Sequence, residues 1–523
     1  MDLEKGLNNF TCLPNTTIMK NITALIACCH LFIVSFSQPE EDAMKYAETI
    51  KQEELYDKLS ILASDALEGR ETGERGQKMA AAFISDHFKR LGLTPPVKQG
   101  SSYSYYQPVP LYSSVPGNIY FVVGGEKYDN FNKIAYYGTY HSEGEKEMEA
   151  VFVGKGSEQE LNQVDVKGKA VIIRIDNPRG WRTPHKLAKE KGAMISLIVT
   201  HATDSEFNNY SEMLKDYLSN GRLSLEVPKR QNTDQGIFMI APSVAAKIVS
   251  SKVEDLNKAA DNGRLKKVKT GKLKYQIKQK KIEVNTENVL GYLEGSDLKD
   301  ELLVLTAHYD HIGRRGDKIN NGADDDGSGT SAIMEIAEAF VKAKEEGKGP
   351  RRSILFMAVS GEEKGLLGSA YYTDNPVFPL ENTVVNLNID MIGRIDREHK
   401  DNSNYIYLVG ADRLSTELHE ISEKVNETYT QFELDYTLND ENHPDRIYYR
   451  SDHWNFAKNN IPVIFYFNGV HEDYHRPTDT IDKIEFELLT KRTKLVYYTA
   501  WVLANRNDRL VVDKLQEQEI GNN

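Results

Sequence analysis

Apolar residues in this chain recur with different spacings, and the changes of spacing divide it into parts. From Glu40 to Leu93 they fall at helical intervals, as in Tyr56-Leu59-Leu62-Ala63 and Met79-Ala82-Phe83-Phe88-Leu91, so this stretch is expected to be helical. Leu67-Glu68-Gly69-Arg70-Glu71-Thr72-Gly73 joins the helices, and Gly92, Pro95 and Pro96 end the second one. After Pro108 the pattern shortens to alternating β segments, which places a boundary near Ser113. Between 114 and 285, strands are expected at 150–154, 168–174, 193–200 and 236–240, with helices at 186–191 and from Pro242, the outline of a small inserted module rich in β-structure. From Asn288 onward the apolar runs 302–307, 353–359, 384–389 and 463–467 alternate with amphipathic helices. That alternation predicts an α/β fold, a central mixed β-sheet flanked by helices. The expected parts are therefore 1–37, 38–113, 114–285 and 286–523.

The first part reads as a leader. Lys20 precedes an apolar run from Ile22 to Phe36, too short to span a bilayer, which takes about 20 residues. Ser35-Phe36-Ser37 is a small-x-small site, so cleavage is expected before Gln38 and the chain is expected to be exported to the periplasm, the cell envelope or the medium. Met19 reads as the start codon, with 1–18 untranslated. Leu25-Ile26-Ala27-Cys28 resembles a lipoprotein box, but apolar residues continue beyond Cys28, so no lipid or integral membrane anchor is expected.

Charge and cysteine content then narrow the chemistry. The 523 residues carry 65 Lys plus Arg against 78 Asp plus Glu, a net charge of −13, which argues against nucleic-acid partners. Lysines crowd the stretch from Lys266 to Lys281, where they fit the solvated face of a strand. Cys12, Cys28 and Cys29 are the only cysteines, so thiol chemistry is excluded from everything after the leader.

Ligating side chains collect where strands end. His308 and Asp310 follow the 302–307 strand, Glu362 and Glu363 follow 353–359, and Asp390 closes 384–389, so all gather at the carboxyl edge of one sheet. Gly322-Ala323-Asp324-Asp325-Asp326-Gly327 sets three consecutive carboxylates at the start of a helix, an arrangement that calls for cations. A later loop, Asp473-Tyr474-His475-Arg476, adds another imidazole. Two imidazoles and three carboxylates suit zinc, with Glu362 left for acid/base work.

These motifs resemble the co-catalytic dizinc exopeptidases, which include leucyl-type aminopeptidases, glutamate carboxypeptidases and glutaminyl cyclases. The likeness is strong from about 288 to 505. The module at 114–285 resembles the protease-associated domain that interrupts many exopeptidases, where it would act as a lid or substrate selector. The resemblance implies two zinc ions, with His308 and Asp390 on one, Glu363 and His475 on the other, and Asp325 bridging them through a residue whose following peptide bond is cis. It makes Asp310 the carboxylate that fixes the His308 tautomer and Glu362 the general base and acid for an activated water. Tyr474, in preference to Tyr448, would stabilise the oxyanion, and Ser451-Asp452-His453 would be structural. Carboxypeptidase relatives carry proline after the bridging aspartate and the cyclases a smaller residue. Asp326 fits neither, which leaves an aminopeptidase acting on peptides, ahead of a dipeptidase or carboxypeptidase of the same fold and of an inactive receptor-like relative.

Overall fold

Alternating inward faces build the sheet that the sequence predicts. The computed structural model describes residues 37–514, apart from 139, 220 and 228–235, so the expected leader lies outside the described residues except for its last position. The chain divides into two units: one runs to Gln107 and resumes at Asn288, and the other is Pro108–Glu287, against the 114–285 expected from the sequence. Where the chain leaves and re-enters the first unit, Asn288 Nδ2 donates to Gln107 Oε1 (2.9 Å), tying the two crossings together.

In the first unit we number the strands β1 (Gly271–Leu293, whose last residues belong here), β2 (Leu298–His308), β3 (Arg352–Val359), β4 (Thr383–Ile389), β5 (Tyr405–Val409), β6 (Glu433–Asp435) and β7 (Val463–Phe467). Their order across the sheet is β6-β5-β7-β4-β2-β3-β1. Strands β3, β2, β4 and β7 are mutually parallel, while β1 and β5 pair antiparallel, so the sheet is mixed. Both faces are covered, as parallel strands require. Leu303, Leu305, Ile354, Phe356, Val385 and Leu387 enter one core, while Leu302, Val304, Leu355 and Met357 enter the other.

The first core is closed by helices α1 (Ser37–Ala47), α2 (Gln52–Leu62), α3 (Arg75–Arg90), α4 (Gly329–Glu345) and α5 (Phe486–Asn505). Phe340 of α4 stacks on Trp501 of α5 with ring centroids 5.7 Å apart and also meets Phe356 of β3. Each such fully buried side chain contributes roughly 1.5–3 kcal/mol. Among the described residues, no helix is long and apolar enough to cross a membrane.

The second unit is less purely β than the sequence suggests. Strands Lys146–Phe152, Ala170–Arg174, Ile195–Val199 and Gly236–Ile240 form a parallel set with Ile134–Tyr137 antiparallel at one edge, and helices Arg182–Glu190, Asp204–Ser219, Pro242–Ile248 and Val253–Asn262 accompany them. Parallel strands need crossover connections, and Arg182–Glu190 and Asp204–Ser219 lie in two of them. Phe121, Tyr136 and Phe238 pack together in its core. The lysine-rich strand alternates as expected: Leu273 and Tyr275 are buried, while Lys272 and Lys274 face solvent beside Glu147 and Glu145.

Candidate metal centre

Parallel pairing of β3, β2, β4 and β7 puts four carboxyl ends on one edge, and each end carries a ligating side chain. His308 is the last residue of β2 and pairs in register with Val359, so the Glu362-Glu363 turn beyond β3 emerges beside it. Asp390 directly follows β4, and the loop after β7 brings in His475, at a positive φ of 56°. Asp325 lies in the turn that opens α4, where the Asp325–Asp326 peptide is cis.

Distances among these groups define two sets of ligating atoms. His308 Nε2 stands 3.2 Å from Asp325 Oδ1 and 3.5 Å from Asp390 Oδ1. His475 Nε2 stands 3.1 Å from Asp325 Oδ2 and 3.1 Å from Glu363 Oε2. The two carboxylate oxygens of Asp325 therefore face different sets. Tetrahedral coordination with bonds of about 2.0–2.2 Å separates neighbouring ligand atoms by about 3.3–3.6 Å, so each set is close to the dimensions of a zinc site. Electrostatics agree. Burial lowers the His475 pKa, but its contacts with Asp325 and Glu363 outweigh this and hold it at about 10. His308 is likewise driven well above its usual value against complete burial, by Asp390, Glu362 and Asp325. The cluster stabilises positive charge where a metal would sit.

The adjacent glutamates are driven in opposite directions. Burial pushes Glu362 well above the usual carboxylate range, with Asp390 and Glu363 adding to the effect and His308 opposing it. Burial and Asp325 also raise Glu363, but His311 and His475 more than offset them and hold it at about 2. Such a split is the pattern of one proton-carrying and one permanently ionised carboxylate. Glu362 lines a cavity with Asp325, Asp390, Arg450 and Tyr474, walled by Met391, Ile447, Phe465, Phe467 and Val470. Tyr474 stacks on His475 at 3.9 Å between centroids, and burial raises its pKa, so it stays a hydrogen-bond donor. Tyr448 instead packs against Trp454 and the Arg413 guanidinium.

Asp310 does not act on His308 in the way the sequence suggests. The His308 Nδ1 contact is to the Asp310 main-chain carbonyl at 2.9 Å, whereas the carboxylate lies 3.9 Å away. That carboxylate accepts from Thr72 Oγ1 (2.6 Å) and from the Glu362 amide (3.3 Å), so it braces the glutamate turn. The tautomer of His308 is set by the backbone, which turns back immediately after β2.

Several positioning residues escape sequence reasoning. Buried Arg70, from the joining segment between α2 and α3, donates to the carbonyls of Leu62, Tyr309, Asn321 and Gly322, clamping the loops that carry His308 and Asp325. Asp479 accepts from the amides of Asp324 and Asp325. Asp326 accepts from the amides of His308, Gly329 and Met391, holding three elements of the site together. Ser451 bonds Asp390, so the Ser451-Asp452-His453 motif reaches the centre directly. His311, one residue beyond Asp310, also lies within the Asp325 and Glu363 cluster. Its only sequence signal is a second histidine three positions after His308.

Residues 288–500 match the family model of Peptidase family M28. Part of the chain is 28% identical over 219 residues to Aminopeptidase YwaD of Bacillus subtilis (strain 168), covering 40% of this chain and 43% of that one. A probable zinc metalloprotease of Pyrenophora tritici-repentis is 30% identical over 268 residues, covering 42% of this chain and 52% of its own length. The chain thus spans about half the length, or less, of these curated relatives. Among solved structures, the aminopeptidase from Aneurinibacillus sp. strain AM-1 shares the fold, with a TM-score of 0.53 at 18% identity over 91% of this chain and 98% of that one. His308, His311, Asp325, Glu363, Asp390 and His475 all fall within the matched segment.

Proposed function

We propose that this chain is an exported dinuclear zinc aminopeptidase that removes N-terminal residues from peptides. The observation that carries the reading is the divided carboxylate of Asp325, with one oxygen facing His308 and Asp390 and the other facing Glu363 and His475. Zinc bound to these two sets supplies Lewis acidity, lowering the pKa of water and polarising a scissile carbonyl. Glu362 takes the proton of the attacking water and returns it to the leaving amine, a task suited to a carboxyl held above its usual range. Tyr474, on the same cavity, donates to the developing oxyanion. The apolar wall of Met391, Ile447, Phe465 and Phe467 favours an apolar first side chain.

One further feature supports aminopeptidase over carboxypeptidase action. Asp326 stands where the carboxypeptidase relatives of the resemblance carry proline. We read Pro108–Glu287, which interrupts the catalytic unit, as a protease-associated module that selects substrates.

Chelation and metal analysis test the reading. Purified protein should hold two zinc ions per chain, lose peptide hydrolysis on their removal and regain it when zinc is restored. Hydrolysis that survives complete metal removal would refute it.

A further inference from the structure

We propose that His311 is an additional protein ligand, through Nδ1, of the metal held by Asp325, Glu363 and His475; this rests on the dinuclear reading above. His311 is fully buried, and among the described residues neither ring nitrogen has a hydrogen-bond partner. A buried imidazole without partners is costly, and such orphans call for an unseen partner. The carboxylate atoms beside it are orphaned too: Glu363 Oε1 and Asp325 Oδ2 are buried without hydrogen bonds.

The geometry supplies the partner. His311 Nδ1 lies 2.7 Å from Glu363 Oε1 and 3.7 Å from Asp325 Oδ2, close approaches that lack hydrogen-bond alignment. Its ring meets that of His475 edge-on, with centroids 5.8 Å apart. Nitrogen and oxygen atoms that converge without bonding one another are arranged as ligands around a common cation.

The ring is held in that pose from several sides. The His311 amide donates to the Arg70 carbonyl at 3.1 Å, so the buried arginine segment fixes its backbone. Gly322 has φ +59°, and a Cβ there would come within 2.6 Å of the imidazole Cδ2. Glycine at 322 therefore makes room for this ring beside the bridging aspartate. The consequence is asymmetry: one metal has His308, Asp325 and Asp390, and the other has Asp325, Glu363, His475 and His311.

Metal titration of the apo-protein, read as metal bound against a competing chelator, tests the assignment without recourse to turnover. Wild-type protein and Glu362→Gln should each bind two zinc ions. His311→Ala, and His311→Phe, which keeps a ring but removes both nitrogens, should weaken one zinc by about 10–100-fold and leave the other unchanged. Zinc-edge X-ray absorption on the fully loaded proteins should count three imidazoles per two metals in the wild type and two in His311→Phe. Two metals bound equally tightly by wild type and both variants, with an unchanged imidazole count, would overturn the His311 assignment while leaving the dinuclear reading standing. Fewer than two metals in the wild type would overturn both.

Discussion

Ser451 Oγ donates to Oδ2 of Asp390 across 2.7 Å, which leaves Oδ1 of the same carboxylate facing His308. Behind it runs a buried chain: Asn386 Nδ2 donates to Thr306 Oγ1, Thr306 to Asn388 Oδ1, and Asn388 Nδ2 to Ser451. Three polar side chains in the middle of otherwise apolar strands thus aim one carboxylate.

Ser451→Ala should therefore loosen Asp390 and strand the Asn388 amide. We expect about 10-fold or greater loss of affinity for one metal and a stability loss of about 1–3 kcal/mol, the cost of a buried group left unsatisfied. Chelator competition and urea unfolding measure the two effects. Unchanged metal affinity would show that Asp390 needs no such support.

Glu362 and Asp325 should separate proton transfer from metal binding. Glu362→Gln should reduce kcat by about 10²–10⁴-fold while two metals stay bound, because the change removes the proton acceptor and leaves both ligating sets in place. Asp325→Asn should weaken both metals together, since both sets share that carboxylate. Metal counting alongside steady-state kinetics distinguishes the two. A Glu362→Gln enzyme that keeps most of its kcat would contradict the assignment of the base.

Stability should fall on the acid side for a reason outside the metal chemistry. His453 is fully buried against Phe465, with ring centroids 4.8 Å apart, and burial drives its pKa from about 6.5 down to about 3. The folded state refuses a proton that the unfolded chain accepts below pH 6.5, so stability is lost as pH falls from 6.5 towards 3 and is unaffected above it. The contribution amounts to about 2 kcal/mol by pH 5. His453→Phe should shrink the difference in urea stability between pH 7 and pH 5 by about that much. An identical pH dependence in the variant would count against it.

The sequence made the strand edges legible because their residues are apolar on both faces and end in ligating side chains: His308, Glu363 and Asp390 announce themselves by following β2, β3 and β4. His475 stood out as an imidazole in a loop rich in charge. What stayed hidden depends on three-dimensional convergence rather than spacing. Arg70 lies far from Asn321 along the chain, yet its guanidinium reaches that carbonyl. Ser451 looks like part of a structural motif until its hydroxyl is seen on Asp390. The resemblance makes the Asp310 carboxylate the partner of His308, but the backbone turn substitutes its carbonyl for its carboxylate. In the second unit, helices Asp204–Ser219 and Val253–Asn262 carry no signal that the sequence pattern picks out, so a layered α/β unit looks mainly β.

Peptide end-group preference separates an aminopeptidase from a carboxypeptidase. A free-amine peptide with an apolar first residue, its N-acetyl form and its C-terminal amide should be compared at equal concentration with zinc-loaded protein. We expect release of the N-terminal residue from the free and the amidated peptides and no cleavage of the acetylated one. Cleavage of the acetylated peptide with loss of the amidated one would contradict the account and mark the enzyme as a carboxypeptidase.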